Sequence, residues 1–141
     1  MLKYIDIHSH LNLSPLDEDR DGVVMRMVEA GVGTITIGVD YETSQKAIEI
    51  AEKYDFIWAG IGLHPTDNTQ EEFDIEKYKI LAENPKVVCI GECGLDYFRD
   101  QKEETKKTTE LAGKQLDLTD LRDKRLVDNA IKKKKKKKKT N

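Results

Sequence analysis

The sequence predicts an α/β fold in which parallel strands alternate with helices. Four short apolar runs have the length and composition of buried strands, and the segments between them carry apolar residues at helical spacing. The predicted strands cover residues 4–10, 34–39, 56–63 and 86–92, and the predicted helices lie near residues 24–30, 43–54 and 75–82. A chain that alternates in this way builds right-handed βαβ units, which form a parallel sheet.

The positions of polar side chains at the ends of the predicted strands distinguish a doubly wound sheet from a (β/α)8 barrel. His8 and His10 end the first strand, Asp40 closes the second, His64 follows the third and Glu92 ends the fourth. In a barrel these ends meet at one mouth, where active sites are built. The first strand lacks the glycine-rich loop that a dinucleotide-binding sheet requires. We therefore expect a half-barrel, the first four strands of a TIM-type (β/α)8 barrel.

Charge divides the chain of 141 residues into a body and a tail. Residues 1–98 carry 8 basic and 19 acidic side chains, whereas residues 99–141 carry 16 basic and 8 acidic ones, including the lysine run Lys132–Lys139. Such a run cannot bury surface. We predict a folded body over residues 1–118 and a disordered, lysine-rich, non-homologous tail over residues 119–141. No apolar window suits a membrane span and no signal peptide is indicated, so a cytoplasmic location is expected.

The pattern D-x-H-x-H in the first strand indicates a metal site. Side chains alternate along a strand, so Asp6, His8 and His10 are expected on one face, with Ile5 and Ile7 on the other. Two imidazoles held on a strand can chelate one divalent ion. The alternative is a set of polar residues at a frayed strand end.

Three motifs occur in a characteristic order: Asp6-Ile7-His8-Ser9-His10, Gly62-Leu63-His64-Pro65, and Gly91-Glu92-Cys93-Gly94-Leu95-Asp96-Tyr97. Together they resemble the TatD-type metal-dependent hydrolases, a deoxyribonuclease family within the amidohydrolase-like barrels, and the resemblance runs from residue 1 to about residue 118. It implies hydrolysis of phosphodiester bonds in DNA with divalent ions, Zn, Mg or Mn, of which the complete family site holds two.

The resemblance also assigns roles to the best-matched residues. It implies that His8 and His10 bind one ion and that Glu92, the catalytic carboxylate, bridges two. Strand alternation supports the assignment of Glu92, because it is expected to share one face with Val88 and Ile90 and to end near the first-strand histidines. The alternative for Glu92 is a solvated charge at a strand end.

Other polar residues are expected to support the site. Asp6 should orient a ligand ring, and His64 suits contact with substrate or support of a ligand. Asp96 and Arg99 fall in the loop after the fourth strand, where an arginine can hold a phosphate. Asp40 is expected to cap the second helix. Ordinary loop residues are the alternative for His64, Asp96 and Arg99.

The chain departs from the family after its fourth strand. A complete barrel has about 250 residues, and the family's other ligands are histidines on strands five and six and an aspartate on strand eight. This chain has three histidines, all before residue 65. We therefore expect at most one weakly bound ion and little or no turnover. The alternatives are a catalytically dead half-barrel and non-specific nucleic-acid binding through Lys132–Lys139.

Unpartnered inner faces, with Ile35, Ile37 and Ile61, predict self-association through the open side.

Overall fold

The computed structural model describes residues 1–65, 71–93 and 110–120, and it shows the expected alternation of strands and helices. The elements in chain order are β1 (Tyr4–Ser9), α1 (Arg20–Ala30), β2 (Val32–Ile37), α2 (Tyr41–Lys53), β3 (Ile57–Ile61), α3 (Ile75–Leu81) and β4 (Val87–Ile90). A further helix, α4, covers residues 110–120. The strands form one parallel sheet in the order β1-β2-β3-β4, which confirms the predicted α/β class and its first four strands.

Local signals in the sequence define the ends of the first two helices. Gly31 ends α1 with a φ of 74°, a left-handed conformation that favours glycine, and its N–H bonds the carbonyls of Met27 and Val28. Asp40 begins α2, as expected. Its carboxylate accepts a hydrogen bond from the Thr43 N–H at 2.7 Å, while the Thr43 hydroxyl accepts one from the Asp40 N–H at 3.0 Å. These two bonds form a capping box.

The core lies between the sheet and the helices on one side of it. Ile57, Ala59 and Ile61 alternate along β3 and are fully buried in one cluster with Ala47 and Ala51 of α2. Ile61 therefore lies under a helix. The expectation that Ile61 belongs to an uncovered inner face was wrong.

One stretch of exposed apolar surface lies on β1, an outer strand of the described sheet. Tyr4, Ile5 and Ile7 are all more than half exposed, with Ile7 the most exposed at 74%. Ile37 is buried and Ile35 is half-buried. The exposed apolar side chains of β1 thus lie at the edge of the sheet, whereas the expectation placed the exposed surface at Ile35 and Ile37.

Strand pairing is irregular immediately before the polar ends of β1 and β4. Asp6 pairs with Thr34 and Ser9 with Thr36, so three steps along β1 match two along β2. In β4, two steps separate Val87 from Cys89 while their partners in β3 are neighbours. Such bulges interrupt the alternation of side chains.

These bulges bear on two expectations about strand faces. The alternation from Asp6 to His10 is interrupted in β1, although the His8 and His10 rings still meet, with their Nε2 atoms 3.2 Å apart. In β4 the pairing sets Cys89 beside Gly60, and Ile90 packs against the helix-side core. The uniform apolar face that was expected to end at Glu92 is therefore not formed.

Some expected features lie outside the described residues. These are Asp96, Arg99 and the run Lys132–Lys139. The boundary expected after residue 118 falls inside α4, which includes Thr119 and Asp120. Among the helices that the structure describes, none combines the length and the hydropathy needed to cross a membrane.

Candidate metal centre

Three side chains from two distant parts of the chain meet at the carboxyl ends of β1 and β4. His8 Nε2 lies 3.0 Å from Glu92 Oε1, and His10 Nε2 lies 3.7 Å from the same oxygen. The two histidine Nε2 atoms are 3.2 Å apart. One ligand atom from each residue lies within 4.8 Å of the other two. The structure thus brings together the three residues that the sequence singles out as ligands.

The backbone of β2 fixes the protonation of the His10 ring. His10 Nδ1 lies 3.0 Å from the carbonyl oxygen of Ile37, which can only accept a hydrogen bond. Nδ1 must therefore carry a proton, and in the neutral ring Nε2 keeps its lone pair. This is the usual arrangement of a metal-binding histidine, whose other nitrogen donates to a carbonyl or carboxylate.

The arrangement of acceptor atoms requires a proton or a cation at the centre. His10 Nε2 and Glu92 Oε1 both accept, and His8 Nε2 lies within 3.2 Å of each of them. Three lone pairs at these distances repel one another unless a proton or a cation lies between them. A proton on His8 Nε2 satisfies the three atoms, and a divalent cation in its place would satisfy them more completely.

His64 occupies the other side of the same carboxylate. Its Nε2 lies 3.2 Å from Glu92 Oε2, and its side chain is only 15% exposed. The backbone N–H of His64 donates to the Val39 carbonyl at 2.7 Å, which fastens the segment after β3 to the end of β2. Glu92 therefore offers one oxygen to the pair His8 and His10 and the other to His64.

Asp6 supports the site in a different way from the one expected. Its carboxylate accepts a hydrogen bond from the backbone N–H of His8 at 3.0 Å. The contact is therefore with the main chain of the ligand strand, whereas the sequence suggested an imidazole ring. The register shift after Asp6 accounts for the difference.

A buried polar network behind His10 was missed from the sequence. Asn12 donates to the carbonyls of Ile37 and Thr43, each at 3.1 Å, and accepts from the Thr36 hydroxyl at 2.9 Å. Asn12 therefore shares the Ile37 carbonyl with His10. The available signal was an asparagine between two leucines immediately after the histidine motif.

A buried tyrosine ties the segment before α3 to the end of β3. The Tyr78 hydroxyl lies 3.3 Å from the Gly62 carbonyl oxygen and 3.1 Å from Glu71 Oε1, and its single hydrogen is shared between these two acceptors. The other oxygen of Glu71 accepts from the N–H of Tyr41 at the start of α2. Burial, and then the Glu71 carboxylate, raises the pKa of Tyr78 well above its usual value, so the phenol remains a donor.

Comparisons with known proteins identify the family of this chain. The family model described as TatD related DNase matches residues 5–127. The 3'-5' ssDNA/RNA exonuclease TatD of Shigella flexneri serotype 5b (strain 8401) is 42% identical over 97 residues, which cover 67% of this chain and 37% of that protein. The Bacillus subtilis (strain 168) protein named uncharacterized metal-dependent hydrolase YabD is 43% identical over 98 residues, covering 68% of this chain and 38% of that protein.

A solved structure shows the same fold. The crystal structure of YJJV, a TatD homologue from Escherichia coli K12, superposes with a TM-score of 0.76 at 28% identity, covering 85% of this chain and 48% of that one. The chain thus spans less than half the length of the relatives it matches. It belongs to the TatD family of metal-dependent hydrolases.

Proposed function

We propose that this chain carries a divalent-metal site for hydrolysis of phosphodiester bonds in nucleic acid. The observation that carries the proposal is the convergence of two imidazole nitrogens and a carboxylate oxygen within 4.8 Å, from residues 84 positions apart. Membership of a family whose relatives include an ssDNA/RNA exonuclease supports nucleic acid as the substrate. The expected cytoplasmic location stays a prediction.

The donor set fits a divalent ion. Two neutral imidazoles and one carboxylate suit Zn or Mn, and a catalytic zinc commonly has three protein ligands. The fixed tautomer of His10 presents Nε2 to the centre. When bound, a divalent ion supplies a Lewis acid that activates water and neutralises charge on a phosphoryl oxygen.

The chain's own residues would orient this chemistry. His8 and His10 would hold the ion from β1, and Glu92 would face it with Oε1. His64 can hold a proton at Nε2 against Glu92 Oε2, or donate it to a phosphate oxygen at the mouth. Arg99 as a phosphate contact and Asp96 beside it remain proposals from the sequence.

The first prediction concerns the number of ions. The three histidines of the chain all lie at this one centre, so we expect one weakly bound divalent ion per chain. Calorimetric titration with zinc and with manganese measures the stoichiometry. The double variant His8→Ala, His10→Ala should abolish binding, whereas His64→Ala should weaken it less. Equal heats from the parent chain and the double variant would contradict the metal site.

The second prediction concerns turnover. A single ion cannot clamp both the attacking and the leaving oxygen, so we expect metal-dependent release of nucleotides from single-stranded DNA far below roughly 1 per second. Glu92→Gln keeps the shape of the side chain and removes its charge, so it should abolish any activity. Fast hydrolysis that Glu92→Gln leaves intact would exclude this centre as the active site.

A further inference from the structure

The inference concerns Gln115, a residue of α4 whose side chain is fully buried at 0% exposure. Its Oε1 accepts a hydrogen bond from the Leu63 N–H at 3.2 Å, and its Nε2 donates to the Leu63 carbonyl at 3.0 Å and to the Glu92 carbonyl at 3.4 Å. Both donor hydrogens and the acceptor oxygen of the amide are therefore used. A buried amide without such partners would be costly.

The amide acts where the pairing of β3 with β4 ends. The last backbone bond between these segments runs from the Gly91 N–H to the Ile61 carbonyl at 2.9 Å. Beyond it, Gln115 bonds Leu63 on one side and Glu92 on the other. One side-chain amide thus joins the two segments that carry His64 and Glu92.

The surroundings of Gly62 show how closely the segment after β3, the segment after β4 and helix α4 approach one another. A Cβ atom at this position would lie 2.4 Å from the Gly91 carbonyl oxygen and 2.6 Å from Gln115 Oε1. Real side chains do not tolerate such distances, so the closeness of backbone and amide requires glycine. The position of Gln115 relative to the mouth therefore has little freedom.

We propose that Gln115 is a positioning residue that fixes the Glu92 backbone relative to His64. Leu63 immediately precedes His64, and the His64 Nε2 to Glu92 Oε2 distance is 3.2 Å. By holding both backbones, the amide fixes the distance between the two side chains, so that the Glu92 carboxylate faces His64 with one oxygen and His8 and His10 with the other. The effect on metal affinity rests on the proposed function, whereas the effect on the two backbones does not.

The test compares variants of the full chain. Gln115→Leu removes the amide, and Gln115→Glu keeps an acceptor but removes the two donors. Leu118→Ala is the matched control, because Leu118 lies on the same helix at 1% exposure and makes no polar contact with the mouth through its side chain. The measurements are the zinc dissociation constant, hydrogen exchange at the Leu63 amide, whose N–H donates to Gln115, and the melting temperature.

We expect Gln115→Leu to weaken zinc binding by about 10- to 100-fold, the usual effect of losing support behind a ligand. Exchange at the Leu63 amide should accelerate in Gln115→Leu and stay slow in Leu118→Ala, even where Leu118→Ala melts lower. Equal loss of zinc affinity in both variants, or unchanged exchange at Leu63 in Gln115→Leu, would overturn the inference.

Two further outcomes are also decisive. If Gln115→Leu does not fold, Gln115→Glu decides by the zinc dissociation constant, because it loses the donors to the Leu63 and Glu92 carbonyls without the apolar replacement. Weaker zinc binding in Gln115→Glu than in Leu118→Ala then supports the inference, and equal binding refutes it. If the parent chain binds no zinc, the proposed function fails, and exchange at the Leu63 amide alone decides on Gln115. Faster exchange there in Gln115→Leu than in Leu118→Ala supports the inference, and equal exchange refutes it.

Discussion

At the scale of single residues, the centre is built from side chains that bond main-chain atoms. His10 and Asn12 both use the Ile37 carbonyl, Tyr78 uses the Gly62 carbonyl, and Gln115 bonds both backbone groups of Leu63. A buried polar group that makes all its hydrogen bonds restricts the local geometry, because any shift leaves a donor or an acceptor unpaired at a cost of about 1–3 kcal/mol. The mouth is therefore held by specific contacts as well as by packing.

Tyr78→Phe tests the importance of one such contact. The change removes the bonds to Gly62 and Glu71 and leaves the ring in place, so we expect the free energy of unfolding to fall by about 1–3 kcal/mol. Tyr41→Phe is the control, since its hydroxyl makes no hydrogen bond with the part of the chain that the structure describes, and its ring contacts that of Tyr78. Urea unfolding measures both. A similar loss in the two variants would contradict a specific role for the Tyr78 hydroxyl.

The candidate ligands could be recognised in the sequence, whereas the residues that support them could not. The sequence alone was enough to single out His8, His10 and Glu92, because it shows both their residue types and their spacing in the motifs. Asn12 and Gln115 could not be recognised in this way, because their partners are carbonyl and amide groups 25 and 52 positions away, and every residue offers such groups. Only the tertiary structure decides which of them a buried amide meets.

At the scale of elements, the helices and strands followed local rules, whereas the strand ends did not. Helical spacing and the capping residue Asp40 predicted α2 within two residues at each end. The faces presented at the mouth depended on bulges in β1 and β4, which alternation cannot anticipate. The irregular stretch of β1 contains His8 and that of β4 precedes Glu92, as expected where a strand must redirect its side chains toward a site.

Asp40→Ala tests the local rule for α2. Removing the carboxylate opens the capping box and frees the Thr43 N–H, so the free energy of unfolding should fall by about 0.5–2 kcal/mol. Gln45→Ala, an exposed change in the same helix, should have an effect below about 0.5 kcal/mol. Thermal and urea unfolding provide the comparison. An Asp40→Ala chain as stable as Gln45→Ala would show that other contacts define the start of this helix.

At the scale of the whole molecule, one edge of the described sheet exposes a run of apolar side chains. Tyr4, Ile5 and Ile7 are exposed along β1. A cavity of about 360 Å³ opens nearby, lined by residues that include Met1, Leu2 and Trp58. Outer strands offer unpaired backbone groups, and parallel sheets are stable chiefly when covered. An apolar strand with an open edge favours contact with another chain.

We therefore predict that the chain self-associates at micromolar concentration through β1. Ile7→Lys places a charge on this edge and should shift sedimentation toward a single chain, because burying an unpaired lysine in an apolar contact is costly. Ile80→Lys is the matched control: Ile80 is 69% exposed, similar to Ile7 at 74%, but lies on α3 away from β1, so it should leave association unchanged. The Ile7→Lys chain should bind less of an apolar dye only if the added charge also disrupts the exposed apolar surface of β1. A parent chain that sediments as a monodisperse monomer, with one sharp melting transition and no dye uptake, would show that the exposed edge of β1 is tolerated in isolation.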